Sequence, residues 1–288
     1  MAHAITVQPE PIRSKSGRFI VHQVPAASDN VIWLMEYAPG QCAVVDGPSS
    51  TEVLDYIQQH KLQLTTILNT HTHGDHIGIN RCLGKKGLIH NMRVIGARKR
   101  EKDVPFITEP VDDGDSITLG DIVGMVWLTE GHINGHLSYT FEDFLFCGDT
   151  LFVGGCGYLF DGPPAKMHHS LQRLARLPVD TKVCCAHEYT QDNLRFAYSL
   201  EPNNQALQDK MSIIWKKRSV GESSLPSTIG EERETNPFIR TDSPELKKSL
   251  HRVFNNVEDA SPEQIFTYAR QHKDSKHYRA LPEPSFLQ

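Results

Sequence analysis

The stretch Thr70-His71-Thr72-His73-Gly74-Asp75-His76 constrains this chain more than any other. Three imidazoles and a carboxylate, all able to hold a metal ion, fall within six residues. They follow directly on the apolar-rich run Leu64-Thr65-Thr66-Ile67-Leu68-Asn69. Such a run reads as a buried strand, and a strand ending in a polar loop projects its donors into one concave site. Neutral imidazole and carboxylate are ligands that zinc, iron and manganese accept. A His-rich surface loop is the plainer reading. What separates the two is whether the rest of the chain supplies partners, because one loop rarely completes a metal site.

The chain supplies them at the ends of further strands. Residues 1–18 read as a loosely held extension. From Phe19 short apolar strands follow, at 19–22, 31–35 and 42–45, the last running into the turn Asp46-Gly47-Pro48. Ser49 with Glu52 has capping-box spacing and predicts a helix to about His60, with Val53, Leu54 and Ile57 inward. Beyond Ile77 the chain reads as loop-rich to Lys102, with one strand from Met92 to Gly96. A strand from Ile122 to Leu128 runs into Gly131-His132. A hairpin, 137–141 and 144–147, ends at Gly148-Asp149. A helix is expected at about 166–177, with Met167, Leu171, Leu174 and Leu177 inward and Pro178 as its stop. The strand 182–185 ends at Ala186-His187.

From Thr190 only helices are expected, at 191–200, 203–218, 243–254 and 261–273. The last two open on Ser-Pro-Glu, an N-cap followed by Pro at N1. The segment 221–240 reads as an ordered loop, and His168-His169 as solvent-exposed. The division is thus an extension (1–18), a metal-binding domain (19–190) and an α-helical, substrate-binding domain (191–288). Strands alternating with helices and delivering His or Asp at four ends indicate an α/β layered sandwich with a site along one edge.

Charge and composition narrow the partners. Thirty basic against 35 acidic residues give a net charge of -5 with no basic stripe, which argues against nucleic acid. No apolar run reaches the roughly 18 residues of a membrane span, and residues 1–18 lack the apolar core of a secretory signal. Arg13, Lys15, Arg18 and two Ser make a mitochondrial matrix address conceivable, but Glu10 and two Pro speak against it. Six cysteines without a CxxC pair fit free thiols in a reducing compartment, so the expectation is cytoplasmic and monomeric.

Taken together, His71, His73, Asp75, His76, His132, Asp149 and His187 are too many donors for one tetrahedral zinc. They suit two divalent ions about 3.5–4 Å apart that share a carboxylate. Alternation assigns His71 and His73 to one ion and Asp75 and His76 to the other, with Asp149 as the bridge. Zinc is the first choice of metal, iron or manganese the alternatives.

This pattern resembles the metallo-β-lactamase superfamily, and within it the glyoxalase II (hydroxyacylglutathione hydrolase) family. The matching stretches are Thr70 to His76, Gly131-His132 with Gly135 to Tyr139, Gly148 to Phe152, Gly155-Cys156-Gly157, His187 to Thr190, and Pro226-Ser227-Thr228 to Asn236-Pro237-Phe238. The resemblance implies a metallo-β-lactamase-like αββα sandwich with a C-terminal α-helical domain. It implies His71, His73 and His132 on one metal, Asp75, His76 and His187 on the second, and a metal-held hydroxide that attacks a glutathione thioester such as S-D-lactoylglutathione. Asp75 would take up the water's proton and His136 would order its neighbours. Arg270 and Lys273 match a basic pair that holds glutathione, although the same spacing suits a solvated helix face. Tyr189 matches a tyrosine at the peptide. Where the family has a basic residue, an aromatic and a tyrosine after Gly-Cys-Gly, this chain has Tyr158-Leu159-Phe160. Tyr158 therefore stands at a substrate-side position without the usual cation. A mononuclear iron persulfide dioxygenase, or a catalytically weak binding relative, are the other readings of the same scaffold.

Overall fold

Two mixed sheets face each other across the main core. A computed structural model describes residues 3–255 and 257–287. The first sheet runs β1 (Ile12–Arg13), β2 (Ile20–Ala26), β3 (Asn30–Ala38), β4 (Gln41–Val45), β5 (Gln63–Leu68), β6 (Arg93–Ala97) and β7 (Glu109–Val111), in sequence order. Helices α1 (Thr51–His60) and α2 (Gly74–Lys85) provide the crossovers β4–β5 and β5–β6, both parallel pairings. The second sheet contains β8 (Ser116–Leu119), β9 (Ile122–Leu128), β10 (Leu137–Phe141) and β11 (Phe144–Gly148). A small two-stranded sheet, β12 (Leu151–Phe152) with β13 (Gly155–Cys156), follows. Helix α3 (Pro164–Leu174) then leads to β14 (Lys182–Cys185), which pairs parallel to β11.

Strand β3 shows why both faces are apolar. Val31, Trp33 and Met35 enter the cluster between the sheets, whereas Ile32 and Leu34 pack with Val53 and Tyr56 of α1 and Ile79 and Leu83 of α2. Successive side chains alternate faces, so a strand buried on both sides must be apolar throughout. The Trp33 indole N–H donates to the Cys185 carbonyl (2.9 Å) and ties the two sheets together.

The C-terminal part adds α4 (Thr190–Leu200), α5 (Gln205–Ser219), β15 (Ser227–Thr228), α6 (Ile229–Thr235), α7 (Pro244–His251) and α8 (Pro262–Ser275). Phe238, Leu246, Leu250, Ile265 and Phe266 join the same core as the second sheet and α3. Ser243 and Ser261 cap α7 and α8 as expected, each with Pro at N1.

Several expectations need correction. The segment after His76, expected as loop, is α2. Gly78 and Gly84 lower its helix propensity, but both are required by close approach. A Cβ on Gly78 would lie 2.0 Å from the Pro48 carbonyl oxygen, and one on Gly84 2.3 Å from the Phe106 ring. At α1 the N-cap position is Ser50, with no side-chain cap, and Ser49 donates to the Glu52 carboxylate instead (2.5 Å). Its buried residues are Val53 and Tyr56, with Leu54 and Ile57 only partly covered. The expected loop 221–240 contains β15, antiparallel to β14, and α6, closed by a Thr228–Glu231 capping box. The late segment therefore contributes a strand to the earlier sheet. Of the expected extension 1–18, residues 1 and 2 lie outside the described residues, and residues 3–18 are less loose than expected, since β1 pairs with β2 and Ile5 is buried. α3 ends at Leu174, and His168 is half-buried, its Nε2 3.1 Å from Thr241 Oγ1.

Candidate metal centre and adjoining pocket

The four strand ends converge. Residues 70–76 follow β5, His132 follows β9, Asp149 follows β11 and His187 follows β14. Gly148 makes the last approach of Asp149 achievable. Its φ is +47°, and a Cβ there would lie 2.4 Å from Thr70 Oγ1 and 2.9 Å from His136 Nε2. Only glycine tolerates both demands.

Two sets of donors result. His71, His73, His132 and Asp149 present atoms within 4.8 Å of one another, and so do Asp75, His76 and His187. His71 Nε2 and His132 Nε2 each lie 3.0 Å from His73 Nδ1. Three imidazole nitrogens turned toward one point at that spacing suit ligands of a common ion, since nitrogens about 2.0–2.1 Å from a tetrahedral zinc stand roughly 3.3 Å apart. Asp149 lies between the sets. Its Oδ2 is 3.4 Å from His132 Nε2, and its Oδ1 is 3.5 Å from both His76 Nε2 and His187 Nε2. Asp75 Oδ2 is 3.5 Å from His76 Nε2 and 3.4 Å from His187 Nε2.

The remaining ring nitrogens are held from behind. His132 Nδ1–H donates to the Tyr158 carbonyl (2.7 Å), His76 Nδ1–H to Asp46 Oδ2 (2.9 Å) and His187 Nδ1–H to Asp29 Oδ1 (2.8 Å). Thr70 Oγ1 donates to Asp46 Oδ2 (2.6 Å) and so accepts from His71 Nδ1–H (3.1 Å). In the neutral ring each bond fixes the tautomer that leaves Nε2 as a lone pair facing the cluster. Asn30 orients Asp75 through a 3.2 Å hydrogen bond. Asp46 also lies near His71 and His76, but its oxygens already accept from Thr70 N–H, Thr70 Oγ1–H and His76 Nδ1–H, which makes it a holding group. His136 stands behind the cluster, its Nε2 accepting the Asp149 N–H (3.1 Å).

The electrostatics match a site built for cations. Burial, with neighbouring imidazoles, pushes the His71 pKa well below its ordinary value. Burial opposes charge on His187 as well, but Asp149, Asp29 and Asp75 outweigh it and raise its pKa to about 9. Burial likewise opposes ionisation of Asp149, yet His76, His187 and His132 hold its carboxyl far below the usual range. His76 Nε2 and Asp149 Oδ1 are buried without a hydrogen-bond partner among the described residues. Buried polar atoms are rarely left so, and both are aimed where a second cation would sit. The donor set therefore fits two divalent ions.

On the substrate side, Arg270 and Lys273 are buried, not on a solvated helix face. With Tyr158, Asp192, Lys276 and Arg279 they line a pocket of about 380 Å³. Lys273 Nζ has no hydrogen-bond partner among the described residues and lies 3.7 Å from Asp192 Oδ2. Burial, partly offset by Asp192, brings its pKa down to about 8. Tyr189 does not line this pocket; its ring stacks on His187 at 4.7 Å. Phe160, next to Tyr158 in the loop, sets its ring edge-on to His73 and His132, 5.1 and 5.2 Å away. Asp29 and Asn30 went unnoticed in the sequence because a polar pair in a hairpin turn carries no local signal. Asp46, after a strand, could equally have been a turn residue.

The chain is similar to known proteins in sequence and in fold. The metallo-beta-lactamase superfamily model matches residues 27–187, and the model described as hydroxyacylglutathione hydrolase C-terminus matches residues 188–276. A hydroxyacylglutathione hydrolase of Aliivibrio fischeri is 42% identical over 257 residues, covering 88% of this chain and 98% of its own. One of Aeromonas hydrophila is 44% identical over 253 residues, covering 87% and 97%. In fold alone, the chain is similar to the BLEG-1 B3 metallo-beta-lactamase (TM-score 0.56, 21% identity, 76% of this chain and 99% of that one). It is likewise similar to ETHE1 from Myxococcus xanthus (TM-score 0.53, 21% identity, 93% and 99%). With both family models matched in tandem and relatives above 40% identity along nearly their whole length, this chain belongs to the hydroxyacylglutathione hydrolase family of the metallo-β-lactamase superfamily.

Proposed function

We propose that the chain is a binuclear metal-dependent thioester hydrolase that cleaves S-D-lactoylglutathione, or a related hydroxyacyl thiol, to D-lactate and the free thiol. The observation that carries this is Asp149, which turns one carboxylate oxygen to His132 and the other to His76 and His187. In this reading His71, His73 and His132 hold one ion, Asp75, His76 and His187 the other, and Asp149 both. Two divalent ions bound there, zinc first and iron or manganese as alternatives, would supply hydroxide near neutral pH and polarise the thioester carbonyl.

The protein's own groups do the rest. Asp75, kept ionised by His187, His76 and Asn30 in spite of burial, is the acceptor for the proton of the attacking water. The leaving group is a thiolate whose conjugate acid has a pKa of about 8.5, so no strong general acid is needed. Phe160 over His73 and His132 limits water at the reacting carbon. The pocket of Lys273 receives the carboxylate end of the thiol carrier. The reading for the assembly is a monomer. Six free cysteines, five of them buried, suit a reducing compartment, the cytoplasm in this reading. No helix among the described residues is long and apolar enough to cross a membrane.

The test is turnover of S-D-lactoylglutathione by metal-loaded protein, with D-lactate and free thiol both measured and metal counted per chain. Two ions per chain and equimolar products are expected. One iron per chain, with oxygen consumed on a glutathione persulfide, would sink the reading.

A further inference from the structure

We propose that Glu232 of α6 and Asn236 just beyond it are positioning residues for the metal centre, acting through the hairpin β12–β13. This rests on the binuclear reading of the centre, but not on which thioester is cut.

The hairpin has both ends in the centre. It leaves at Asp149 and returns at Tyr158, whose carbonyl accepts His132 Nδ1–H (2.7 Å). In between, the chain is buried from Leu151 to Gly157, and two residue pairs, Leu151–Cys156 and Phe152–Gly155, make up its whole ladder. So short a hairpin has little stability of its own, and its buried backbone groups must find partners inside the protein. They find them on the C-terminal helices. Gly154 N–H donates to Glu232 Oε2 (2.8 Å). The amide nitrogen of Asn236 lies 2.9 Å from the Gly155 carbonyl and 3.2 Å from that of Phe152. Asn193 of α4 donates to the Val153 carbonyl (3.1 Å).

Glu232 is itself fixed on every side. Fully buried, it accepts at Oε2 from Gly154 and from Asn236 (2.9 Å), and at Oε1 from Lys210 Nζ (2.7 Å) and Ser227 Oγ (2.6 Å). A buried network with its acceptors filled holds its members in one geometry. The near end of the hairpin has no slack either, since a Cβ on Gly157 would lie 2.0 Å from the Asp149 carbonyl oxygen and 3.0 Å from His132 Nδ1. Releasing the turn at Gly154 therefore shifts the Tyr158 carbonyl, and with it the bond that orients His132. This gives a task to the stretch from Pro226 to Phe238, none of whose side chains belongs to either donor set.

Two double variants separate positioning from a purely structural role. Glu232→Gln with Lys210→Met removes the ion pair but keeps an amide oxygen for Gly154 N–H. Glu232→Leu with Lys210→Met removes that acceptor as well. Zinc affinity by chelator competition, and kcat on S-D-lactoylglutathione, are read at a temperature where circular dichroism shows both variants folded. The Gln variant should match the parent within about twofold. In the Leu variant one of two zinc ions should bind about fivefold more weakly, with kcat down by a similar factor, less than the tenfold or more expected when a ligand loses its own partner. Parent-like zinc affinity and kcat in the Leu variant, or equal losses in both variants, would overturn the proposal. Should the Leu variant fail to fold, Asn236→Ala decides, because it withdraws the amide from the Phe152 and Gly155 carbonyls without removing a charged side chain. Weaker zinc by the same factor is then expected, and parent-like zinc affinity overturns it. If the parent binds two zinc ions yet hydrolyses no thioester, the function reading fails while the zinc measurements still judge Glu232 and Asn236.

Discussion

The metal centre and the pocket beside it are built on opposite plans. In the centre each of four histidines has a dedicated acceptor behind it, and its donors come from four strand ends of two sheets. In the pocket the cations sit late in one helix and just beyond it, and Arg270 and Arg279 are bound to the carboxylates of Asp274 and Asp192. The centre is over-determined, so losing a single group leaves the others buried and unsatisfied. The pocket's Lys273 has no hydrogen-bond partner among the described residues, and Tyr158 stands where a loop cation would be expected. Chemistry here is rigidly held, and recognition rests on little.

That contrast can be broken at its strongest point. Asp149→Ala removes the group shared by both donor sets and should lower kcat by roughly 10³-fold or more, with metal content falling below two per chain. A variant that keeps both ions and a tenth of the activity would mean that the two sets act separately. A smaller effect is expected from behind the cluster. Asp29→Ala frees His187 Nδ1 and should weaken metal binding about 10- to 100-fold in chelator competition, with KM unmoved.

The pH dependence of the metal-free protein sharpens the electrostatic side. The folded pKa of His187 is raised to about 9 from an ordinary 6.5, so the ion pairs of its charged form stabilise the fold fully below about pH 6.5. That contribution is lost as pH rises through about 9, and buried His76, raised in the same direction, adds to it. Thermal scans should show the Tm of metal-free protein falling across this window, and loaded protein, with cations in place of the protons, changing less. A metal-free Tm that is flat from pH 6 to 9.5 would contradict the account. The smallest effect belongs to the pocket. Tyr158→Lys adds an exposed cation there and should lower KM by about two- to fivefold at unchanged kcat, as a partly solvated ion pair permits.

Much of this was legible because donor type and strand end are local properties. The apolar run before Thr70 and the hairpin before Asp149 each announce a strand, and each stops at a metal-binding side chain. The helix α2 was not legible, because Gly78 and Gly84 look like breakers until Pro48 and Phe106 are seen against them. Strand β15 was missed because two residues form a strand only when a partner, β14, stands ready. For Arg270 and Lys273 a solvated helix face stayed open as a reading, since nothing near them in the chain says that they are buried or that a carbonyl 114 positions earlier accepts from Arg270.

By itself, then, the sequence determined the donors: which residues could hold cations, that they were too many for one ion, and where strands would deliver them. Side-chain chemistry and the apolar pattern of a strand are written in a few adjacent residues. Only the tertiary structure decided how those donors are used. It turns His73 inward by Nδ1 where four other histidines use Nε2, and it places Asp29 behind His187 across 158 positions. It also seats Arg270 of α8 on the Cys156 carbonyl. Those outcomes depend on hydrogen bonds between distant segments, which exist only once the sheets and helices have packed.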